Sequence, residues 1–338
     1  MAKSITTAIF DTMPDGQLVW RFVMTNKMGA QVHLLNYGAC IHQVLVPDRN
    51  GQLENVTFSF DTLVPELRGL SCTGAICGPV ANRITDAAFE LNGMTYALEK
   101  NNGENHLHGG STGFHRQLWQ GSIISDEQVC FTLKRPDGQG GYPGQMQAQV
   151  TYTWDDACTL TISYHAVSDQ DTICNLTNHA YWSLDGYGPH TDVLDQNIQI
   201  FSDCYTEMDS AVIPTGRILT SEPALDLREA KNVRQMLALP AQQLASMGEF
   251  GHTYVLRGNG LKPAAILTAP QSGRRLQVFT TYPGVLFYSG FTYNEYRSGV
   301  ALECQYFPDA MHHDNFPSII LPANRVYTET TVYQFDVV

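Results

Sequence analysis

Positive charge is scarce in this chain: 20 Lys and Arg stand against 33 Asp and Glu in 338 residues, a formal net charge of −13 at pH 7. That balance argues against nucleic acid and anionic membrane surfaces as partners, since both are bound through clustered basic side chains. It also disfavours a phosphate-rich substrate. No apolar run approaches the roughly 20 residues needed to span a bilayer, and the opening Met-Ala-Lys-Ser-Ile-Thr-Thr lacks the apolar core of a signal peptide. The eight cysteines (Cys40, Cys72, Cys77, Cys130, Cys158, Cys174, Cys204, Cys304) form no C-x-x-C pair. Most stand beside apolar residues, so they read as small buried hydrophobes in a reducing cytoplasm. G-x-S-x-G, P-loop and G-x-G-x-x-G motifs are all missing, which leaves serine-hydrolase, nucleotide-triphosphatase and dinucleotide readings without a motif.

Helix signal is sparse as well, and strand signal is abundant. Leu18–Thr25, Ala30–Asn36, Ile41–Pro47 and Val56–Phe60 alternate or cluster β-branched and aromatic residues. Asn92-Gly93, between Phe89-Glu90-Leu91 and Met94-Thr95-Tyr96, marks a hairpin. Gln147–Trp154 and Thr159–Val167 read as a long antiparallel pair through Asp155-Asp156. Arg275–Thr281 and Val285–Ser289 read as a further pair around Tyr282-Pro283-Gly284, and Val300–Gln305 and Arg325–Val337 close the chain. The one clear helix is expected over Leu227–Leu239, with Asp226 as its cap and Pro240 as its stop. No repeat and no low-complexity linker divides the chain. One all-β domain, a large antiparallel β-sandwich over residues 1–338 with very little helix, is the expected architecture.

Three places carry chemistry. Asn175–Gly186 follows a clear strand and sets His179 among amides, hydroxyls and the aromatics Tyr181 and Trp182. A hydrogen-bonded structural histidine and a proton-transfer residue both fit there. Thr177 and Asn178 are placed to fix its tautomer, and imidazole is the usual proton carrier near neutrality. Glu303 lies in the otherwise apolar strand Ala-Leu-Glu-Cys-Gln-Tyr-Phe, where alternation separates Glu303 and Gln305 from Leu302, Cys304 and Tyr306. It faces either solvent or a poorly solvated site that raises its basicity. His106-x-His108 pairs two imidazoles, but zinc takes three or four ligands and no companion stands at diagnostic spacing, so no metal is expected. Asn82-Arg83 ends a tight, glycine-flanked segment suited to holding a fork-shaped donor still.

In order along the chain, these pieces resemble the aldose 1-epimerase family, the galactose mutarotase type. The resemblance rests on Gly78–Ile84, Asn105-His106-Leu107-His108-Gly109-Gly110, Asp137–Gly144, Asn175–Leu184, His252-Thr253-Tyr254, Phe287-Tyr288-Ser289-Gly290, Leu302-Glu303-Cys304-Gln305 and Tyr333-Gln334-Phe335. It implies a supersandwich with an open cleft on one sheet, no cofactor, and a free aldose as substrate. Glu303 would be the general base that takes the anomeric proton, and His179 the general acid that protonates the ring oxygen from the opposite side of the anomeric carbon. Asn82, Arg83, His108, Tyr181 and Tyr282 match sugar-contacting positions. The partner is then a small free sugar, met by a monomer or homodimer.

Two departures stand out. An aspartate that grips a sugar hydroxyl in the family is replaced by Gly251, and a glutamine before Pro-Gly by Tyr282. The expectation is a loose or shifted sugar preference, unless Glu249 or His252 restores the missing contact. Two other functions stay open on the sequence: a weakly catalytic sugar sensor on the same fold, and a carbohydrate hydrolase or lyase. Hydrolases usually deploy two carboxylates, and only one stands out here.

Overall fold

Strict alternation builds the largest layer. In Met146–Trp154 and Thr159–Ser168, Val150 pairs with Tyr164 and Tyr152 with Ile162, all buried, while the residues between them point outward. The side-chain period of two thus hands one whole face to the core. Asp155 fixes the turn by accepting from the amides of Ala157 and Thr159 at 2.9 and 2.8 Å. The computed structural model describes residues 2–64, 72–188, 192–293 and 296–338. In it this hairpin is the heart of a nine-stranded antiparallel sheet. The order is Gln120–Ser125, Gln128–Arg135, Met146–Trp154, Thr159–Ser168, Val326–Val337, Arg274–Thr280, Lys262–Thr268, Asn197–Ile200 and Lys231–Asn232.

Two smaller sheets cover its buried face. An N-terminal five-stranded sheet runs Ser4–Thr12, Leu18–Thr25, Gln31–Leu35, Cys40–Pro47 and Leu53–Asn55, and Phe22 meets Phe131 of the large sheet edge-on at 5.4 Å. A six-stranded sheet runs Tyr181–Trp182, Val300–Gln305, Gly284–Tyr288, Gly251–Leu256, Ser202–Met208 and Pro214–Thr220. Its Trp182 packs on Tyr333 and Phe335 at 4.9 and 5.5 Å. The architecture is an all-β supersandwich: the strand pattern leads one to expect the large antiparallel sandwich, and the family resemblance implies the supersandwich form. At the hairpin Ala88–Leu91/Met94–Ala97, Asn92 and Gly93 both take positive φ, the signature of a two-residue primed turn.

Three local expectations are corrected. Arg274–Thr280 and Gly284–Tyr288 do not pair: the first joins Lys262–Thr268 and Val326–Val337, the second Gly251–Leu256 and Val300–Gln305. Tyr282-Pro283 is a crossover between sheets, not a hairpin turn. The helix over Leu227–Leu239 shrinks to Val233–Leu237, capped by the Asn232 side chain rather than Asp226, and a second short helix, Gln242–Met247, follows Pro240. The reason is competition: the Leu227 carbonyl accepts from Ile200 N, and Lys231–Asn232 pairs with Asn197–Ile198, so the sheet edge holds that backbone. Val56–Phe60 forms no ladder among the described residues: Val56 N donates to Val44 O, and a bridge from Thr57 to Trp182, with Phe58 N on Tyr181 O, ties the N-terminal region to the six-stranded sheet. Part of the irregular Gly69–Arg83 piece, residues 69–71, lies outside the described residues.

Candidate active site

The six-stranded sheet turns one face to the core and the other to a cleft of about 320 Å³, lined by Asn82, Arg83, Leu107, His108, His179, Val212, Glu249, Gly251, Leu286, Tyr288 and Glu303. That lies at the lower end of the roughly 300–1,000 Å³ typical of small-molecule sites. Alternation explains its floor. Leu302 and Cys304 enter the core, while Glu303 points the other way, opposite Leu286 on the next strand. Gly251 sits opposite Tyr288 and Thr253 opposite Leu286, so one cleft-facing row spans three strands. Glu303 is only 2% exposed although its face is the cleft face.

His179 follows the two-residue strand Thr177–Asn178, which pairs with Ile76–Cys77. Its own amide donates to Ala75 O at 3.0 Å and its carbonyl accepts from Gly74 N at 2.9 Å. Nε2 stands 3.3 Å from Glu303 Oε1. Thr177 and Asn178 do not touch the ring: Thr177 Oγ1 donates to Cys304 O, and Asn178 Nδ2 to Gly74 O. They hold the backbone that carries the ring rather than its tautomer. Tyr181 stacks against the imidazole at 4.8 Å, whereas Trp182 is fully buried in the core and offers nothing to a ligand.

His108 is fixed by reciprocal bonds with Asn82. Asn82 N donates to His108 Nδ1 at 3.0 Å, and His108 N to Asn82 O at 3.1 Å. A backbone N–H donating to Nδ1 leaves the ring proton on Nε2, so His108 presents a neutral donor. Burial pushes its pKa down to about 3 and keeps it neutral. The left-handed run His108-Gly109-Gly110 needs its glycine, because a Cβ on Gly109 would meet Gly78 O at 2.2 Å. Arg83 donates from Nε to Asn102 Oδ1 at 2.9 Å, which fixes its fork at the cleft. His106 points elsewhere, with Nδ1 on Glu99 O and Nε2 on Tyr142 OH.

Electrostatics divide the labour. Burial raises the Glu303 pKa to about 7, with His179 opposing the rise. Burial works against a charged His179, yet Cys72 and Glu303 outweigh it and hold its pKa up at about 10. A carboxylate basic enough to take a proton therefore touches an imidazolium able to give one. They stand side by side, 3.3 Å apart. For a hemiacetal this suffices, because the hydroxyl and ring oxygens hang on the same carbon. Among the described residues His179 Nδ1 and Glu303 Oε2 are buried without a hydrogen-bond partner, polar capacity that a ligand can meet.

Of the residues expected at the site, Asn82, Arg83, His108, His179 and Glu303 line the cleft together, and Tyr181 backs His179. Tyr282 does not join them. It is fully buried where the crossover passes between the sheets, its hydroxyl 2.7 Å from that of Tyr327 and its ring against Tyr164 and Tyr306. Sequence reasoning missed Leu286, Val212 and Cys72. Leu286 shares the alternation of Glu303 and was findable from it. Val212 takes φ 61 in the turn Asp209–Ile213, an outlier for a β-branched residue that no pattern announces.

The Aldose 1-epimerase family model matches residues 21–334. The chain belongs to that family. Galactose mutarotase from Bos taurus is 36% identical, with 99% of each chain covered, and the aldose 1-epimerase of Escherichia coli K12 is 31% identical over 95% of this chain and 96% of its own. Among solved structures, galactose 1-epimerase from Lactobacillus acidophilus superposes with a TM-score of 0.86 at 27% identity, covering 99% of each chain. An aldose epimerase homologue from C. elegans gives the same TM-score and identity over the whole of both. Membership makes the chain an isomerase acting at the anomeric carbon of an aldose.

Proposed function

We propose that Glu303 and His179 perform the family's reaction, interconversion of the α and β anomers of a free aldose, as base and acid. Their 3.3 Å contact, with pKa values set by burial and by each other, is the observation that carries this reading. Glu303 takes the proton of the anomeric hydroxyl while His179 protonates the ring oxygen. The C1–O5 bond breaks, C1 becomes an aldehyde, rotation about C1–C2 presents its other face, and the two transfers reverse. No net proton is consumed. His108 Nε2–H and Arg83 are the donors available to sugar oxygens, and the ring of Tyr181 keeps His179 in place.

The substrate is read from the opposite wall. His252 cannot replace the missing aspartate, since it lies fully buried on the core face with Nε2 3.2 Å from Gln243 Oε1. Glu249 can: it lines the cleft beside Gly251, steadied by Arg297 at 3.1 Å. Its carboxylate also occupies the space a Cβ on Gly290 would take. A longer acid from two residues upstream thus stands in for the family's shorter one, and a sugar hydroxyl is its partner. The family match and the core that runs from Phe22 to Phe335 support one domain over residues 1–338. Eight cysteines without a disulfide suit a cytoplasmic setting. Polarimetry on freshly dissolved α-glucose, α-galactose and several pentoses tests the function. Faster equilibration supports it, and binding without acceleration, or reducing-end release from a glycoside, refutes it.

A further inference from the structure

Beside the acid–base pair lies a second pair of groups that no step of the reaction above touches directly. The Sγ atoms of Cys72 and Cys77 and a ring nitrogen of His108 all lie within 4.8 Å of one another. Cys77 is buried, while Cys72 is only partly so. The turn that carries them is short and tied down: Ala75 N donates to Cys72 O, Gly74 N to His179 O, and Cys77 pairs with Thr177. Two thiol sulfurs and an imidazole nitrogen suggest a metal, but His108 argues against one. Its Nδ1 already accepts from Asn82 N, so a metal at Nε2 would require an imidazolate. What remains is a dithiol at the edge of the cleft.

We infer that Cys72 and Cys77 form a peroxide-sensitive dithiol whose closure to a disulfide weakens the acid–base site. A hydrogen bond from Cys77, then the charge of His179, hold the Cys72 thiol well below its usual value against the opposing effect of burial. A partly accessible thiolate next to a resolving thiol is the arrangement found in peroxide-reactive proteins. The thiolate attacks one oxygen of hydrogen peroxide. An S–O bond forms, the O–O bond breaks, and the departing hydroxide takes a proton to become water. Cys77 sulfur then attacks the sulfenic sulfur; the S–S bond forms, the S–O bond breaks, and a second water leaves with the Cys77 proton. Two thiols are oxidised and one peroxide is reduced to two waters.

The functional consequence rests on the epimerase reading. Closing the disulfide removes the Cys72 anion from beside His179, leaving Glu303 as its counter-charge, with His108, His115 and Tyr181 as the other titratable groups facing it. The alkaline limb of kcat/KM should then move down by about one unit or more. For a one-unit shift from about 10, the rate should fall about twofold at pH 9 and about fivefold at pH 10, and hardly at all at pH 7.

The test treats the reduced full-length protein with hydrogen peroxide, maps disulfides by peptide mass without reduction, and measures kcat/KM by polarimetry from pH 5 to pH 10. A Cys72–Cys77 link, reversed by dithiothreitol together with the pH shift, supports the proposal. In Cys77→Ser the sulfenic acid should persist on Cys72 and be trapped by dimedone, and in Cys72→Ser peroxide should leave the pH profile unmoved. Absence of the link, or a link that leaves the profile unchanged, overturns it. If the reduced protein does not interconvert anomers at all, the function fails instead, and the mass map still decides whether the dithiol forms.

Discussion

The wall that carries His179 and Glu303 and the wall that carries Glu249, Gly251 and Val212 face the same cleft, yet they are held differently. On the first, the strand of Glu303 pairs along its length with Gly284–Tyr288 and at its start with Tyr181–Trp182, and Thr177 Oγ1 reaches the Cys304 carbonyl directly behind Glu303. On the second, Glu249 precedes its strand and depends on a partly exposed ion pair with Arg297, and Val212 sits in a turn. Proton transfer needs the acid and base fixed to within a fraction of an ångström. Reading hydroxyls tolerates exchange of one side chain for another. In the reading proposed above, the reacting pair stands on the rigid wall, and the acid assigned to a sugar hydroxyl, Glu249, stands two positions before Gly251 on the other.

Breaking the rigid wall should have the largest effect. Glu303→Gln should lower kcat/KM by about 10²-fold or more with the far-UV spectrum unchanged. Retention of more than about a tenth of the activity in polarimetry would remove the base from the scheme. The same wall predicts the pH profile. Rate should rise as Glu303 deprotonates near pH 7 and fall as His179 loses its proton toward pH 10, the two limbs belonging to the coupled pair. A flat kcat/KM between about pH 5 and pH 9 would contradict that assignment, provided chemistry limits the rate.

The other wall should respond in binding. Glu249→Ala should raise KM roughly tenfold or more for the preferred sugar, with a smaller change in kcat, as expected for a lost charge-assisted hydrogen bond. Gly251→Asp should harm the native chain by crowding two carboxylates, yet restore KM in the Glu249→Ala background. Failure of that rescue would mean that Glu249 does not stand in for the family aspartate. The smallest effect belongs to a residue on neither wall. Tyr282→Phe removes only its bond to Tyr327, whose hydroxyl still accepts from Leu176 N. It should cost about 1 kcal/mol in denaturant unfolding and leave KM untouched; a raised KM would return Tyr282 to the sugar site.

Much of this was legible in the residues. Val300–Gln305 was found with its ends correct, because alternation there is strong and the partners on both sides are strands. The motif around His179 and the Leu-His-Gly-Gly loop led to the cleft through the resemblance they carry, since their residues alone left His179 open between structural and proton-transfer roles and read His106 and His108 as a possible metal pair. Tyr282 was placed at the sugar by its match to a family position, while the crossover it sits on was unreadable, because a strand–turn–strand pattern looks the same whether the strands pair or part, and pairing is decided by distant partners. The Leu227–Leu239 helix failed for a related reason. Its apolar spacing was real, but the edge of the large sheet took the backbone groups a helix would have used. Glu249 was weighed as a substitute for the aspartate without being separable from His252. Strand parity separates them only once Gly251 is known to start the strand, which turns His252 to the core.

The crossover at Tyr282 has a consequence for how the molecule comes apart. Only Thr281, Tyr282 and Pro283 join the last residue of one layer to the first of the other, a reach of about 14 Å for four extended Cα–Cα steps. Packed sheets lie about 10 Å apart, so this tether has almost no slack. The floor of the cleft cannot peel away from the large sheet without pulling Arg274–Thr280 out of its ladder. The strand carrying Glu303 therefore has no inexpensive partial opening of its own, and its amides should exchange with solvent only in the rare events that unfold both layers at once.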